Sequence, residues 1–333
     1  AASRCAAALA DNEVLCLLCD RVVAGAAGVE VEFFGERTWL PGGPATLARI
    51  PPAPGRLGGM ARRREIVARH LSRVYGRPLG RFESFRLVDE VFASYARYWA
   101  ESLQLPSLTP ERVAAGIRYD NLPGILNGLD AGKGVILALP HLGGWEWAGT
   151  HLAQYGLKMN VVVEPLEPRD VFDWFVSFRE SLGMRVIPVG PQAASRCAAA
   201  LADNEVLCLL CDRVVAGAAG VEVEFFGERT WLPGGPATLA LRTGAALVPA
   251  GVYFDGRSHG HLGVVRPALP LERTARLRQD VTAGTQLLAQ ELELLVRRAP
   301  AQWHLMQPNW PSDPGFVPPG RPASGDVAPI KSR

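Results

Sequence analysis

From residue 134 onward, short apolar runs alternate with amphipathic stretches, and this alternation leaves few folds open. The runs at 134–139, 160–163, 185–189, 205–211 and 246–254 read as strands, and those at 145–155, 169–182 and 193–203 as helices. Consecutive strands separated by helices pair parallel, because the crossover needs the length of a helix. Runs rich in Val, Ile and Leu throughout, rather than in alternation, are strands buried on both faces. The predicted fold is α/β, with a mainly parallel central sheet flanked by helices. Upstream, helices are expected over 61–75 and 81–104. A further start is expected at Thr109-Pro110-Glu111, where Thr can cap and Pro suits the first helical position. A long helix near 276–298 and a short aromatic segment at 302–310 close the domain.

Residues 1–48 repeat residues 193–240 without a mismatch. Structural repeats keep a pattern while their sequences diverge, so perfect identity marks a duplicated segment rather than a solenoid. The segment carries a helix (193–203), an apolar strand (205–211) and a hairpin (221–232). One sheet has one slot for that strand. The second copy is expected to fill it, because its flanks continue the alternation. After the first copy, residues 49–59 read as linker, being rich in Pro and Gly. The expected organisation is therefore a duplicated copy plus linker at 1–59, outside the native domain, a domain at 60–312, and a disordered tail at 313–333. The alternative is that 1–59 forms a subdomain of its own.

A net charge of +2 offers no global field for nucleic acid. No window approaches 18 apolar residues, and no charged region followed by an apolar stretch opens the sequence, so a cytoplasmic location is expected. The six cysteines are three counted twice. Cys208 and Cys211 sit in an apolar run, and no second pair follows at zinc spacing. They read as buried strand thiols, with no metal. In 61–75, Ile66, Val67, Leu71 and Val74 share one face and arginines cover the others. Such a helix suits either an anionic membrane surface or a core.

In parallel sheets, ligands bind at the carboxyl ends of strands. The first strongly apolar strand, Val-Ile-Leu-Ala-Leu, runs into Pro140-His141-Leu142-Gly143-Gly144-Trp145-Glu146. His141 at a strand end can take a proton from a hydroxyl as a neutral imidazole. Glu146, five residues on, can reach its other ring nitrogen and fix the tautomer. Gly143 and Gly144 let backbone N–H groups approach a developing oxyanion. His151, in mid-helix, reads as structural. Asp212-Arg213, just past another strand end, is a further candidate. No Gly-x-Ser-x-Gly elbow, Walker loop or His-Glu-x-x-His helix is present. Direct transfer without a covalent enzyme intermediate is the simplest mechanism.

His-Leu-Gly-Gly-Trp-Glu-Trp-Ala-Gly resembles the His-x4-Asp/Glu motif of the late acyltransferases of lipid A biosynthesis, and most of all their actinobacterial relatives, the phosphatidylinositol mannoside acyltransferases. Similar stretches follow in the same order: Val-Glu164-Pro-Leu-Glu-Pro, Phe-Arg179-Glu-Ser-Leu-Gly-Met, Gly-Val-Glu222-Val-Glu-Phe-Phe-Gly, Pro-Gly-Gly-Pro-Ala-Thr-Leu-Ala-Leu-Arg-Thr-Gly-Ala and Trp303-His304-Leu-Met-Gln-Pro. The resemblance covers about 60–312. It implies a fold like the glycerolipid and lysophospholipid acyltransferases. It implies transfer of a fatty acyl chain from acyl-CoA, as substrate and with no cofactor, to a mannose hydroxyl of a glycolipid. It also implies a peripheral enzyme on the cytoplasmic face of the plasma membrane. Carried over, His141 is the base and Glu146 its partner, and Glu164, Arg179, Glu222, Gly143 and Gly144 line the substrate site. From the residues alone, Arg179 either pairs with Glu164 or binds a phosphate, and Glu222 either joins the site or faces solvent. Two features depart from the family: Gly144 stands where Asn is common, and the copied segment stands where apolar N-terminal helices are usual. A rearranged, inactive lipid-binding product is the competing expectation.

Overall fold

The computed structural model describes residues 28–33, 36–41, 54–166, 168–215 and 218–320. The chain divides into two compact units, residues 1–65 and 66–333. Described elements of the first copy are the strands β1 (Gly28–Phe33) and β2 (Glu36–Pro41), paired antiparallel from Gly28↔Pro41 to Phe33↔Glu36. The helix and strand expected earlier in that copy lie outside the described residues. Helix α1 spans Pro54–Tyr75, so the expected linker is helical from Pro54, a residue suited to a first turn. Helix α2 (Arg81–Gln104) follows, then α3 (Pro110–Ala115), where the Thr109 side chain accepts from the Arg112 N–H.

A seven-stranded sheet dominates residues 66–333. Its strands are β3 (Ile117–Asp120), β4 (Val135–Leu139), β5 (Met159–Val163), β6 (Met184–Pro188), β7 (Val206–Leu210), β10 (Ala246–Phe254) and β11 (His261–Val265). Their order is β3-β11-β10-β4-β7-β5-β6. All pairs are parallel except β10–β11. Helices α4 (Pro123–Asp130), α5 (Trp145–Gln154), α6 (Arg169–Ser181) and α7 (Ala193–Ala202) connect them. The hairpin β8 (Gly220–Phe225) and β9 (Glu228–Pro233), helix α8 (Gly235–Thr243) and helix α9 (Leu277–Arg298) complete the fold. The α/β class and the parallel sheet agree with the sequence pattern. Strand β7, from the second copy, fills the slot between β4 and β5.

The sheet is buried on both faces, and alternate residues of β4 feed two cores. Ile136 and Ala138 pack with Leu207, Leu247 and Trp303 on one side. Val135, Leu137 and Leu139 pack with Val206, Val248 and Trp147 on the other. The cysteines divide in the same way. Cys208 packs against the second cluster and Cys211 lies in the first, and burial pushes both thiols up, Cys208 to about 12. Among the described residues, no group of three or more His, Cys, Asp or Glu is placed to hold a metal ion.

Core packing, not a membrane surface, is the reading of α1 that holds, and the expected tail begins too early. Ile66, Val67, Leu71 and Val74 of α1 are each 3 % exposed or less and belong to the core, so this apolar face is not offered to a membrane. Asp313 is also buried, which shows that the expected tail does not begin there. Its carboxylate meets His70 Nε2 at 3.1 Å and Arg73 Nη2 at 2.9 Å, fixing the segment after α9 to α1. Residues 321–333 lie outside the described residues.

Candidate active site

Strands β4 and β7 pair in register up to Leu139↔Leu210. The Cys211 N–H donating to the Leu139 carbonyl extends the ladder one step further. Two residues beyond each paired leucine stand His141 and Asp212. Parallel register thus brings to one point two groups 71 positions apart in the chain. His141 Nδ1–H donates to Asp212 Oδ1 at 2.6 Å, and its backbone N–H donates to Oδ2 at 2.9 Å. The Trp303 indole donates to Oδ2 at 2.7 Å, and Asn309 Nδ2 donates to the Asp212 carbonyl at 3.0 Å.

Asp212 has no exposed surface. Burial alone would push its carboxyl up. The charge of His141 and the donors from His141 and Trp303 outweigh that and hold it below the usual carboxylate range. A carboxylate fixed at Nδ1 leaves the neutral ring with its lone pair on Nε2. The imidazole side chain is 19 % exposed and lies edge-on to Trp145 at 5.7 Å. Chemically, the pair can take a proton from a substrate hydroxyl and stabilise the resulting imidazolium.

Glu146 does not reach His141, which corrects the expected dyad. From the first turn of α5 its side chain turns toward α6 and α2. There Arg179 donates to it through Nε at 3.0 Å and Nη2 at 2.5 Å, and the Tyr98 hydroxyl donates at 3.2 Å. Burial first, then the Glu146 charge, pushes the Tyr98 hydroxyl well up, so it stays protonated as a donor. Arg179 therefore serves Glu146, not Glu164. Glu164, at the end of β5, accepts instead from Arg213 Nη2 at 2.6 Å. Glu222 lies on the outer face of β8, its side chain 52 % exposed and its cation Arg229 at 3.4 Å. That places it with solvent rather than in the site.

The glycines have a packing role. Gly143 has φ +59°, and its N–H donates to the Gln302 carbonyl at 3.0 Å. That donor is spent and cannot serve an oxyanion. A Cβ at Gly143 would stand 2.1 Å from the Val252 carbonyl oxygen, and one at Gly144 would stand 2.5 Å from the His261 ring. An Asn at 144, the residue common in the family it resembles, would collide with that ring. His151 accepts or donates at 3.2 Å with the Tyr119 hydroxyl on the far side of α5, as a structural residue would.

Sequence reasoning ranked Asp212 low and missed the roles of Trp303, Asn309 and Tyr98. Asp212 carried one usable signal, its position just past an apolar strand. That β7 neighbours β4 is a matter of topology.

His304, next to Trp303, donates its backbone N–H to the His141 carbonyl at 2.7 Å, and its Nε2 lies 2.8 Å from Ser94 Oγ. Its Nδ1 is buried without a partner. Burial above all, then the charge of His141, pushes its pKa down to about 3 against the pull of Asp212. An unfolded histidine takes up a proton near pH ~6.5, which the folded ring refuses until about 3. Stability therefore falls as pH drops through that window. His304→Gln is expected to flatten the dependence by about 1.4 kcal/mol per pH unit, measured as urea midpoints at pH 4.5 and 6. An unchanged slope would show that His304 titrates normally.

An apolar cleft with a cavity volume of about 80 Å³ opens next to Trp145, the ring that lies edge-on to His141. Leu137 and Leu139 of β4, Val161 and Val163 of β5, Cys208 and Leu210 of β7, and Trp145, Ala148 and Leu152 of α5 line it. Glu146 and Arg179 are its charged lining residues.

Residues 50–312 match the sequence profile of the bacterial lipid A biosynthesis acyltransferases. A phosphatidylinositol mannoside acyltransferase of Mycolicibacterium smegmatis is 38 % identical over 252 residues, covering 75 % of this chain and 80 % of that protein. A protein of the same name from Mycobacterium tuberculosis is 38 % identical over 257 residues, covering 75 % of this chain and 78 % of its own length.

Proposed function

The chain belongs to the bacterial lipid A biosynthesis acyltransferase family, and from that premise we propose that it moves a fatty acyl chain from acyl-CoA to a mannose hydroxyl of a phosphatidylinositol mannoside. It is an acyltransferase acting on a glycolipid. His141 is the general base and Asp212 its partner. The observation supporting this is the His141–Asp212 pair at the carboxyl ends of adjacent strands, beside an apolar cleft. The cleft takes the acyl chain and places the thioester carbonyl near the imidazole. His141 Nε2 removes the hydroxyl proton as the oxygen attacks, the C–S bond breaks, and the thiolate leaves and is protonated. Neither a cofactor nor a covalent enzyme intermediate is required.

The enzyme works as a peripheral protein on the cytoplasmic face of the plasma membrane, where its lipid acceptor lies. No described helix is long and apolar enough to cross a membrane. The test incubates the full chain with palmitoyl-CoA and a phosphatidylinositol dimannoside in mixed micelles. CoA release and an acylated product are expected only with both substrates. Hydrolysis independent of the acceptor would overturn transfer. Release with other glycolipids, but not with the mannoside, would overturn the acceptor.

A further inference from the structure

The cleft is closed at one end. In β5 and β7 the first two residues are buried and the next three only half-buried. The cleft therefore opens toward the carboxyl ends, where Leu139, Val163, Leu210 and Trp145 lie, and closes toward the strand starts. At the closed end stand Met159, Met184 and Leu152, each 3 % exposed or less. Opposite Met184 sits Gly149, inside α5 and also lining the cleft. Glycine is a poor helix former in mid-helix, so a packing reason is called for, and the structure supplies one. A Cβ at Gly149 would stand 2.8 Å from Met184 Sδ. The thioether occupies the space a side chain at 149 would take.

We infer that Met184, seated against Gly149, is the floor that sets the length of acyl chain the enzyme accepts. The inference rests on the acyl-transfer reading and names the specificity element of that same site. Methionine is unbranched and adaptable, so its position responds to the residue facing it. Shortening it deepens the cleft. Adding a methyl at 149 displaces it toward the chain end and makes the cleft shallower. The two changes act in opposite directions, which general loss of packing cannot imitate.

The test measures kcat/KM of the full chain for saturated acyl-CoA donors from dodecanoyl to icosanoyl, with the dimannoside acceptor. Met184→Ala, with Met184→Val as a milder version that keeps more of the floor filled, is expected to move the optimum to longer chains. Gly149→Ala is expected to move it to shorter ones. One methylene accommodated or excluded is worth about 10-fold or more in kcat/KM, so each shift is expected to change the ratio of neighbouring donors by at least that much. Transfer with the wild-type optimum in all three variants would overturn the floor and leave acyl transfer standing. If both Met184 variants fail to fold, an unshifted optimum in Gly149→Ala alone overturns it. No transfer by the wild-type chain with any donor would remove the acyl-transfer reading and this inference with it.

Discussion

Asp212→Asn is expected to lower kcat by about 10²–10⁴-fold, the range for a positioned acid–base group, with the fold intact. The carboxylate accepts from three directions: the His141 ring, the His141 backbone and the Trp303 indole. An amide keeps the shape but turns an N–H₂ toward donors, so one contact becomes donor against donor. The imidazole then loses both its fixed tautomer and the charge that stabilises its protonated form. His141→Ala is expected to lose at least as much, and the double variant little more, because the two residues act as one unit. Single-turnover rates on protein with a wild-type unfolding midpoint would check this. If Asp212→Asn retains activity while Glu146→Gln abolishes kcat without loss of stability, the assignment reverts to the His141–Glu146 pair read from sequence.

Arg179→Met is expected to cost about 3–5 kcal/mol of stability, the typical penalty for removing one partner of a buried ion pair. Glu146 is 3 % exposed, and once Arg179 is gone it keeps the Tyr98 hydroxyl as its side-chain donor among the described residues. The Arg179 side chain is 18 % exposed, so water relieves part of the loss and the low end of that range is expected. Arg179→Met/Glu146→Met should recover much of it, since apolar groups of similar volume replace such pairs with little net cost. Urea unfolding of wild type, both single variants and the double variant measures the coupling. Additive losses, with no recovery in the double variant, would mean that the pair does not stabilise the fold through mutual charge. Because Glu146 and Arg179 also line the cleft, the double variant reports on substrate binding through KM.

Much of the fold was legible from period and composition. The five strands read from apolar runs, the helices at 145–155, 169–182 and 193–203 and the hairpin at 221–232 occur within a residue or two of the expected positions, whereas helix α8 was not read. Strands β3 and β11 were not legible. β3 has four residues, two of them charged, and β11 is interrupted by Gly263. That glycine is needed because a Cβ there would stand 2.5 Å from the Tyr119 ring of β3. The cue for the pairing is thus a gap left for another strand's side chain, which no local pattern displays. Helix α1 was legible as amphipathic but not as core, since an apolar stripe does not say whether protein or lipid covers it.

The candidate site divides along the same line. Local sequence determined that His141 stands at a strand end, that Glu146 lies in the first helical turn after it, and that Asp212 follows another strand. These depend only on neighbours in the chain. Tertiary structure alone decided which carboxylate serves the histidine. Parallel register sets Asp212 opposite His141, while Glu146 turns to an arginine on a different helix. Strand order decides this, and strand order comes from burying both faces of the sheet at once, a condition on the whole chain that no single segment carries.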